Sequence, residues 1–132
     1  MSSHTAHDVV ILGGGLAGLC LARQLKSERP DIRLLVLEKR AHPVREAAFK
    51  VGESTVEIAG SYFGDVLGFR GYMAEHQLPK FGLRYFFPQD GNRDITQRFE
   101  VGPVEFPPFG TFQIDRGRFE NHLFDTNRAL GI

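Results

Sequence analysis

"VVILGGGLAGLCLARQL", residues 9–25, places three consecutive glycines between a short apolar run and a stretch of apolar residues at helical spacing. Glycine weakens the interiors of both strands and helices. Gly13, Gly14 and Gly15, with Gly18 just beyond, therefore mark either an ordinary tight turn or a backbone made to approach a phosphate. Residues 9–12 are short, apolar and β-prone, which suits a buried strand. From Leu16 onward, Leu16, Ala17, Leu19, Cys20, Ala22 and Leu25 recur at the period of a helix, which Pro30 and Asp31 bring to a stop. "IRLLVLE", residues 32–38, reads as a second buried strand. Strand, glycine turn, helix and strand within about thirty residues make a βαβ unit, expected to be parallel and right-handed.

Inside that unit, Gly13-x-Gly15-x-x-Gly18 matches the dinucleotide fingerprint. The first glycine turns the chain, the second lets a pyrophosphate touch the backbone, and the third lets helix and strand pack closely. Leu16 and Ala17 open the helix, where unpaired N–H groups and the positive end of the helix dipole favour phosphate. Glu38 closes the second strand, twenty positions after Gly18, where an acidic side chain binds ribose hydroxyls. A carboxylate there would repel a 2′-phosphate, which disfavours NADP. The pattern assigns no separate task to Gly14. The spacing alone leaves FAD and NAD both open. Ala22, four residues beyond Gly18, resembles the pattern of FAD-binding variants.

Composition narrows the remaining classes. A chain of 132 residues is long enough for one small domain with a core. Sixteen acidic and sixteen basic residues cancel, so no basic face is expected and no nucleic-acid partner. The single cysteine, Cys20, rules out an internal disulfide and fits a structural thiol in a reducing cytoplasm. No apolar run reaches the roughly 18 residues of a membrane span. Asp8 and the glycines argue against a signal peptide at residues 9–22. No metal ligand set is read from the sequence. At the end of the chain, "NRALGI" reads as a helix closed by Gly131, with Ile132 starting a new element. That leads to the expectation of the front part of a longer protein.

The later segments carry further signals. "KRAHPVREAAFK", residues 39–50, is expected to be a loop. "STVEIAGSYFGDVLGF", residues 54–69, reads as one helix with Val56, Ala59, Phe63, Val66 and Leu67 near one face. Ser54 followed by Glu57 makes a capping box at its start. Gly52 before this segment admits two readings: a plain helix cap, or a second helix terminus aimed at an anion or a flavin ring. "KFGLRYFF", residues 80–87, has strand period, with Phe81, Leu83, Tyr85 and Phe87 on one side and Lys80, Gly82 and Arg84 on the other. Residues 88–112 suggest turns and one or two short strands. "DRGRFENHLFDTNRAL", residues 115–130, reads as a helix capped by Asp115, with Phe119, Leu123, Thr126 and Leu130 inward.

Taken together, "GGGLAG", Glu38, "VGEST" and "LPKFGLRYFF" resemble the N-terminal part of the flavin-dependent halogenases of the tryptophan-halogenase family. These lie within the wider class of flavin monooxygenases related to p-hydroxybenzoate hydroxylase. The resemblance runs from about residue 8 to residue 124. "QIDRGRFENHL", residues 113–123, resembles the arginine-bearing helix start of that wider class. The implied fold is α/β: a Rossmann-like βαβ FAD-binding domain, with residues 1–132 as a single incomplete unit, truncated and inactive alone. The implied cofactor is FAD, its pyrophosphate on Gly13, Gly15 and Gly18 and its adenosine ribose on Glu38. Gly52, Glu53, Ser54 and Thr55 are implied beside the flavin, and Arg116 as a further FAD contact. Lys80 matches the family's active-site lysine. The implied reaction takes reduced flavin from a separate reductase, with O₂, and oxidises chloride or bromide to a hypohalous acid. Lys80 then presents the halogen to an electron-rich aromatic carbon. The other readings are a related FAD hydroxylase or reductase without halogenation, a non-catalytic FAD-binding module, and a nicotinamide dehydrogenase.

Overall fold

A computed structural model describes residues 6–47, 53–106 and 110–132. It opens with the expected βαβ unit. Strand β1 (Val9–Leu12) leads through the glycines into helix α1 (Leu16–Glu28), which ends just before Pro30. Strand β2 (Leu34–Leu37) returns parallel to β1, with Val9 opposite Leu34 and Leu12 opposite Leu37. Residues 39–47 then run without regular structure, as expected for so charged a stretch.

The middle of the chain departs from the sequence expectation. Residues 54–69 are not one helix. Glu53 and Ser54 form a short strand, β3, paired antiparallel to a later strand, β7 (Thr111–Ile114). Helix α2 begins only at Glu57, spans Glu57–Ser61 and continues as a wider π turn over Tyr62–Val66. The capping box is not formed: Val56 stands at the N-cap and no side chain caps the helix. Pairing with β7 wins because it also ties down the following residue. The Thr55 amide and hydroxyl both donate to the Phe112 carbonyl, and the Phe112 amide donates back to Thr55 Oγ1 at 2.7 Å. Val56 and Val66, expected on the buried face, are exposed, while Phe63 and Leu67 are buried.

Helix α3 (Arg70–His76) leads into β4 (Leu78–Lys80), which pairs with the other edge of β7. The single strand expected over residues 80–87 is split. Gly82 takes a positive φ of 106°, which turns the chain between β4 and β5 (Tyr85–Phe87). Lys80, Gly82 and Arg84 therefore do not share a strand face. β5 pairs instead with β6 (Phe99–Val101) in a separate two-stranded ribbon.

Helix α4 (Arg116–Ala129) starts as read, with the Asp115 carboxylate accepting from the Arg118 amide at 3.1 Å. It packs on α1. The core joins Leu19 and Cys20 of α1, Phe63, Leu67 and Phe69 around the π turn, Met73, Ile114, and Phe119 and Leu123 of α4. Phe119 meets the rings of Phe63 and Phe69 edge-on, at 5.1 and 5.6 Å. Glu120 and Asn127 are buried on α4, whereas Leu130, expected inward, is exposed. The Asn127 amide donates to the Leu19 carbonyl at 2.9 Å, which joins α4 to α1. Burial pushes the Cys20 thiol up to about 12, so it stays protonated and unreactive.

Candidate dinucleotide site

Gly13 leaves β1 at φ 112°, a conformation that a side chain would strain. Its amide donates to the Leu37 carbonyl at 2.8 Å, holding the turn against β2. At Gly18, a Cβ would stand 1.9 Å from the Gly13 carbonyl oxygen. Only glycine there lets α1 lie so close to the end of β1. Gly14 acquires the role that the fingerprint left unassigned. Its Cβ would stand 2.8 Å from Glu38 Cβ, and its amide donates to Glu38 Oε2 at 2.7 Å. Glu38 thus lies directly against the glycine turn. The Arg40 amide, donating at 2.9 Å, and the Gly14 amide pull its carboxyl down to about 2.

The N-terminus of α1 has no side-chain cap of its own and no acidic residue in its first turn. The Leu16 amide instead donates to Glu120 Oε1 of α4, at 3.1 Å. Glu120 was not singled out from sequence. It stands 104 positions from Leu16, and nothing in a helical pattern marks a buried acid as different from a surface one. The same Oε1 accepts from Arg116 Nε at 2.9 Å, and Arg116 also pairs with Glu53 at 3.4 Å. Arg116 Nη2 lies 3.9 Å from the position of a Cβ on Gly15. Arg116 and Glu53 are thereby brought to the glycine turn, as three separate motifs meeting at one place. Ala17 sits in the exposed first turn of α1.

Ser54, Thr55 and Lys80 form a second cluster. Lys80 ends β4 and donates from Nζ to Ser54 Oγ at 2.8 Å and to the Thr55 carbonyl oxygen. Thr111 Oγ1 donates to the Lys80 carbonyl at 2.7 Å, which fixes the backbone beneath the amine. Thr55 is buried and turned toward Phe112. Gly52 lies outside the described residues. An open cavity of about 660 Å³ adjoins Lys80, lined by Val56, Leu83, Tyr85, Val104 and Phe106 together with Glu57 and Glu105.

The fit to a dinucleotide rests on these observations. The glycine turn has no side chains of its own, α1 presents its N-terminus beside it, Glu38 lies against Gly14 at the end of β2, and Glu120 and Arg116 face Gly15. Residues 11–67 match the family model of an NAD(P)-binding Rossmann-like domain. The chain is 32% identical over 131 residues to the flavin-dependent halogenase chlA of Dictyostelium discoideum, covering 95% of this chain and 22% of that protein. It superposes on the flavin-dependent brominase Bmp2 with a TM-score of 0.70 at 24% identity, covering 96% of this chain and 28% of that one. For the halogenase PltM the TM-score is 0.65 at 16% identity, with 95% and 27% covered. The chain thus spans less than a third of each. The α/β, Rossmann-like fold and the resemblance to flavin-dependent halogenases are both borne out. Among the described residues no helix is long and apolar enough to cross a membrane.

Proposed function

We propose that this chain is the dinucleotide-binding part of a cytoplasmic FAD-dependent halogenase acting on a small electron-rich aromatic substrate. What supports this reading is the contact of Lys80 with Ser54 and Thr55, which places the two halogenase-like segments side by side. The similarity to chlA supports it from sequence. Residues 1–132 would contribute to a single FAD-binding domain. Gly13, Gly15, Leu16, Ala17 and Gly18 would hold the pyrophosphate, Glu38 the ribose, and Arg116 a phosphate. Glu53, Ser54 and Thr55, with Gly52, would lie beside the flavin.

When bound and reduced by a separate flavin reductase, FAD would supply two electrons to O₂, which takes two more from halide, so that the halide leaves as hypohalous acid and the second oxygen atom as water. The remaining work falls to the chain. Lys80 is held by two acceptors and has a third N–H for another oxygen or halogen species. Ser54 fixes the direction of the amine. The apolar side chains of Val56, Tyr85 and Phe106 beside Lys80 would receive the aromatic ring. Lys80 then holds the oxidised halogen, by hydrogen bond or as a haloamine, over the carbon to be substituted.

The test uses the full natural polypeptide with FAD, a flavin reductase, O₂, chloride or bromide, and phenol or indole. A halogenated product is expected by mass spectrometry. Lys80→Met should abolish it, with the FAD content unchanged. A hydroxylated product would favour a hydroxylase, and halogenation that survives Lys80→Met would overturn the role of Lys80. Absence of FAD from the purified protein would overturn the whole reading.

A further inference from the structure

Glu120 is fully buried, yet the proposed chemistry gives it no task. A buried carboxylate is costly unless its charge is met by donors. Its donors include the Leu16 amide at the first residue of α1 and Arg116 Nε, one helical turn earlier on α4. One carboxylate oxygen therefore sets the spacing between the glycine turn and the arginine. Nε points back to Glu120, Nη1 faces Glu53 at 3.4 Å, and Nη2 lies toward Gly15. The guanidinium is a rigid planar fork, so fixing Nε fixes where the other nitrogens point. Glu53 is the weaker anchor, because both partners in that pair are more than a third exposed.

We infer that Glu120 is a positioning residue: it aims Arg116 at the glycine turn, so that Arg116 and the N-terminus of α1 receive the same phosphate group. The inference rests on the FAD-binding reading above. Glu120 Oε1 lies 3.7 Å from the position of a Cβ on Gly15, slightly nearer than Arg116 Nη2 at 3.9 Å. As a negative charge near a phosphate it would by itself weaken binding, so the benefit of its presence lies in the alignment of Arg116.

The two effects have opposite signs, and a double-mutant cycle on the full natural polypeptide separates them. The readout is FAD affinity, followed by quenching of flavin fluorescence. Glu120→Gln should weaken binding about tenfold, the scale of one misaligned charge-assisted contact. Arg116→Gln should weaken it by about the same or more. The double variant should match Arg116→Gln within about twofold: on this inference the effect of Glu120 on FAD passes through Arg116, and its second contact, to the Leu16 amide, adds no more than that. Glu53→Gln should change affinity less than Glu120→Gln. Tighter binding in Glu120→Gln would show that Glu120 acts as a repelling charge, and overturns the inference. So does an additive double variant, the mark of a merely structural role. Should Glu120→Gln fail to fold, Glu120→Asp carries the cycle: it keeps the charge, draws it back by one methylene, and is expected to weaken FAD in the Arg116 background only. A wild-type protein that binds no FAD overturns the functional reading and this inference together. FAD binding with an additive cycle overturns the inference alone.

Discussion

The Gly14 amide donates to Glu38 Oε2 at 2.7 Å, and a methyl group on Gly14 would meet Glu38 Cβ at 2.8 Å. The middle glycine of the turn is thus spoken for by the acid at the end of the neighbouring strand. It holds the carboxylate against the turn instead of providing left-handed backbone, which is the task of Gly13.

Gly14→Ala should therefore act through Glu38. We expect FAD affinity in the full polypeptide to fall about tenfold, as expected when one charge-assisted contact is misplaced. Glu38→Ala should show a similar loss, and Gly14→Ala should add little to it. Two independent losses that simply add would contradict the coupling.

Gly18→Ala poses a different problem. Its Cβ would lie 1.9 Å from the Gly13 carbonyl oxygen, a backbone atom that cannot swing aside. Overpacking typically costs about 1–3 kcal/mol, and a backbone clash belongs at or above the upper end. Chemical denaturation should show that loss, or no folded protein. A stability within about 0.5 kcal/mol of wild type would mean that α1 lies further from β1 than described here.

Acid stability carries the sign of Glu38. Its carboxyl is lowered from an ordinary 4.5 to about 2, first by the Arg40 amide and then by that of Gly14. The unfolded chain binds the proton at the higher pH, so stability rises with pH across this window. The contribution is complete above about pH 5 and is lost as pH falls through 4.5 toward 2. Melting temperature followed from pH 6 to pH 2 should decline less steeply in Glu38→Gln. An unchanged slope would contradict the assignment.

Phe119→Ala tests the core. Phe119 is fully buried where α4 meets the π turn and α3. Removal of a buried phenylalanine side chain typically costs about 3–5 kcal/mol. Denaturation midpoints should shift accordingly, and a loss below about 1 kcal/mol would place the ring outside the core.

The β5–β6 ribbon exposes Tyr85, Phe87 and Phe99 on one face and Phe86 on the other. Exposed apolar patches of this kind promote association. The 132-residue chain studied alone should self-associate in a concentration-dependent way on light scattering. Phe86→Lys with Phe99→Lys should reduce that without lowering the melting temperature. A chain that stays monomeric at high concentration would show that these rings do not form an associating surface.

Much of the fold was legible in the chain itself. Val9–Leu12, the glycines, α1 and Leu34–Leu37 lie within thirty residues, so periodicity and turn chemistry decide them locally. Asp115 could be read as a helix cap for the same reason, because its partner is three residues away. Where local signals met a long-range competitor they lost. Ser54 and Glu57 have the spacing of a capping box, but the strand Thr111–Ile114 pairs with Glu53 and Ser54, and the box does not form. Gly82, which strand period puts on one face with Lys80 and Arg84, instead breaks the strand.

The sequence by itself determined the βαβ unit, the glycine turn and the position of Glu38, because each depends on neighbours within a few tens of residues. Only the tertiary structure decided that Lys80 meets Ser54 and Thr55, that Gly14 accommodates Glu38, and that Glu120 joins Arg116 to the start of α1. Those contacts span from 24 to 104 positions, apart from the one-turn pair of Arg116 and Glu120. A buried carboxylate and a surface one look alike in a sequence. Packing of α4 against α1 removes water from Glu120, and the lost solvation makes its donors, Leu16 and Arg116, obligatory.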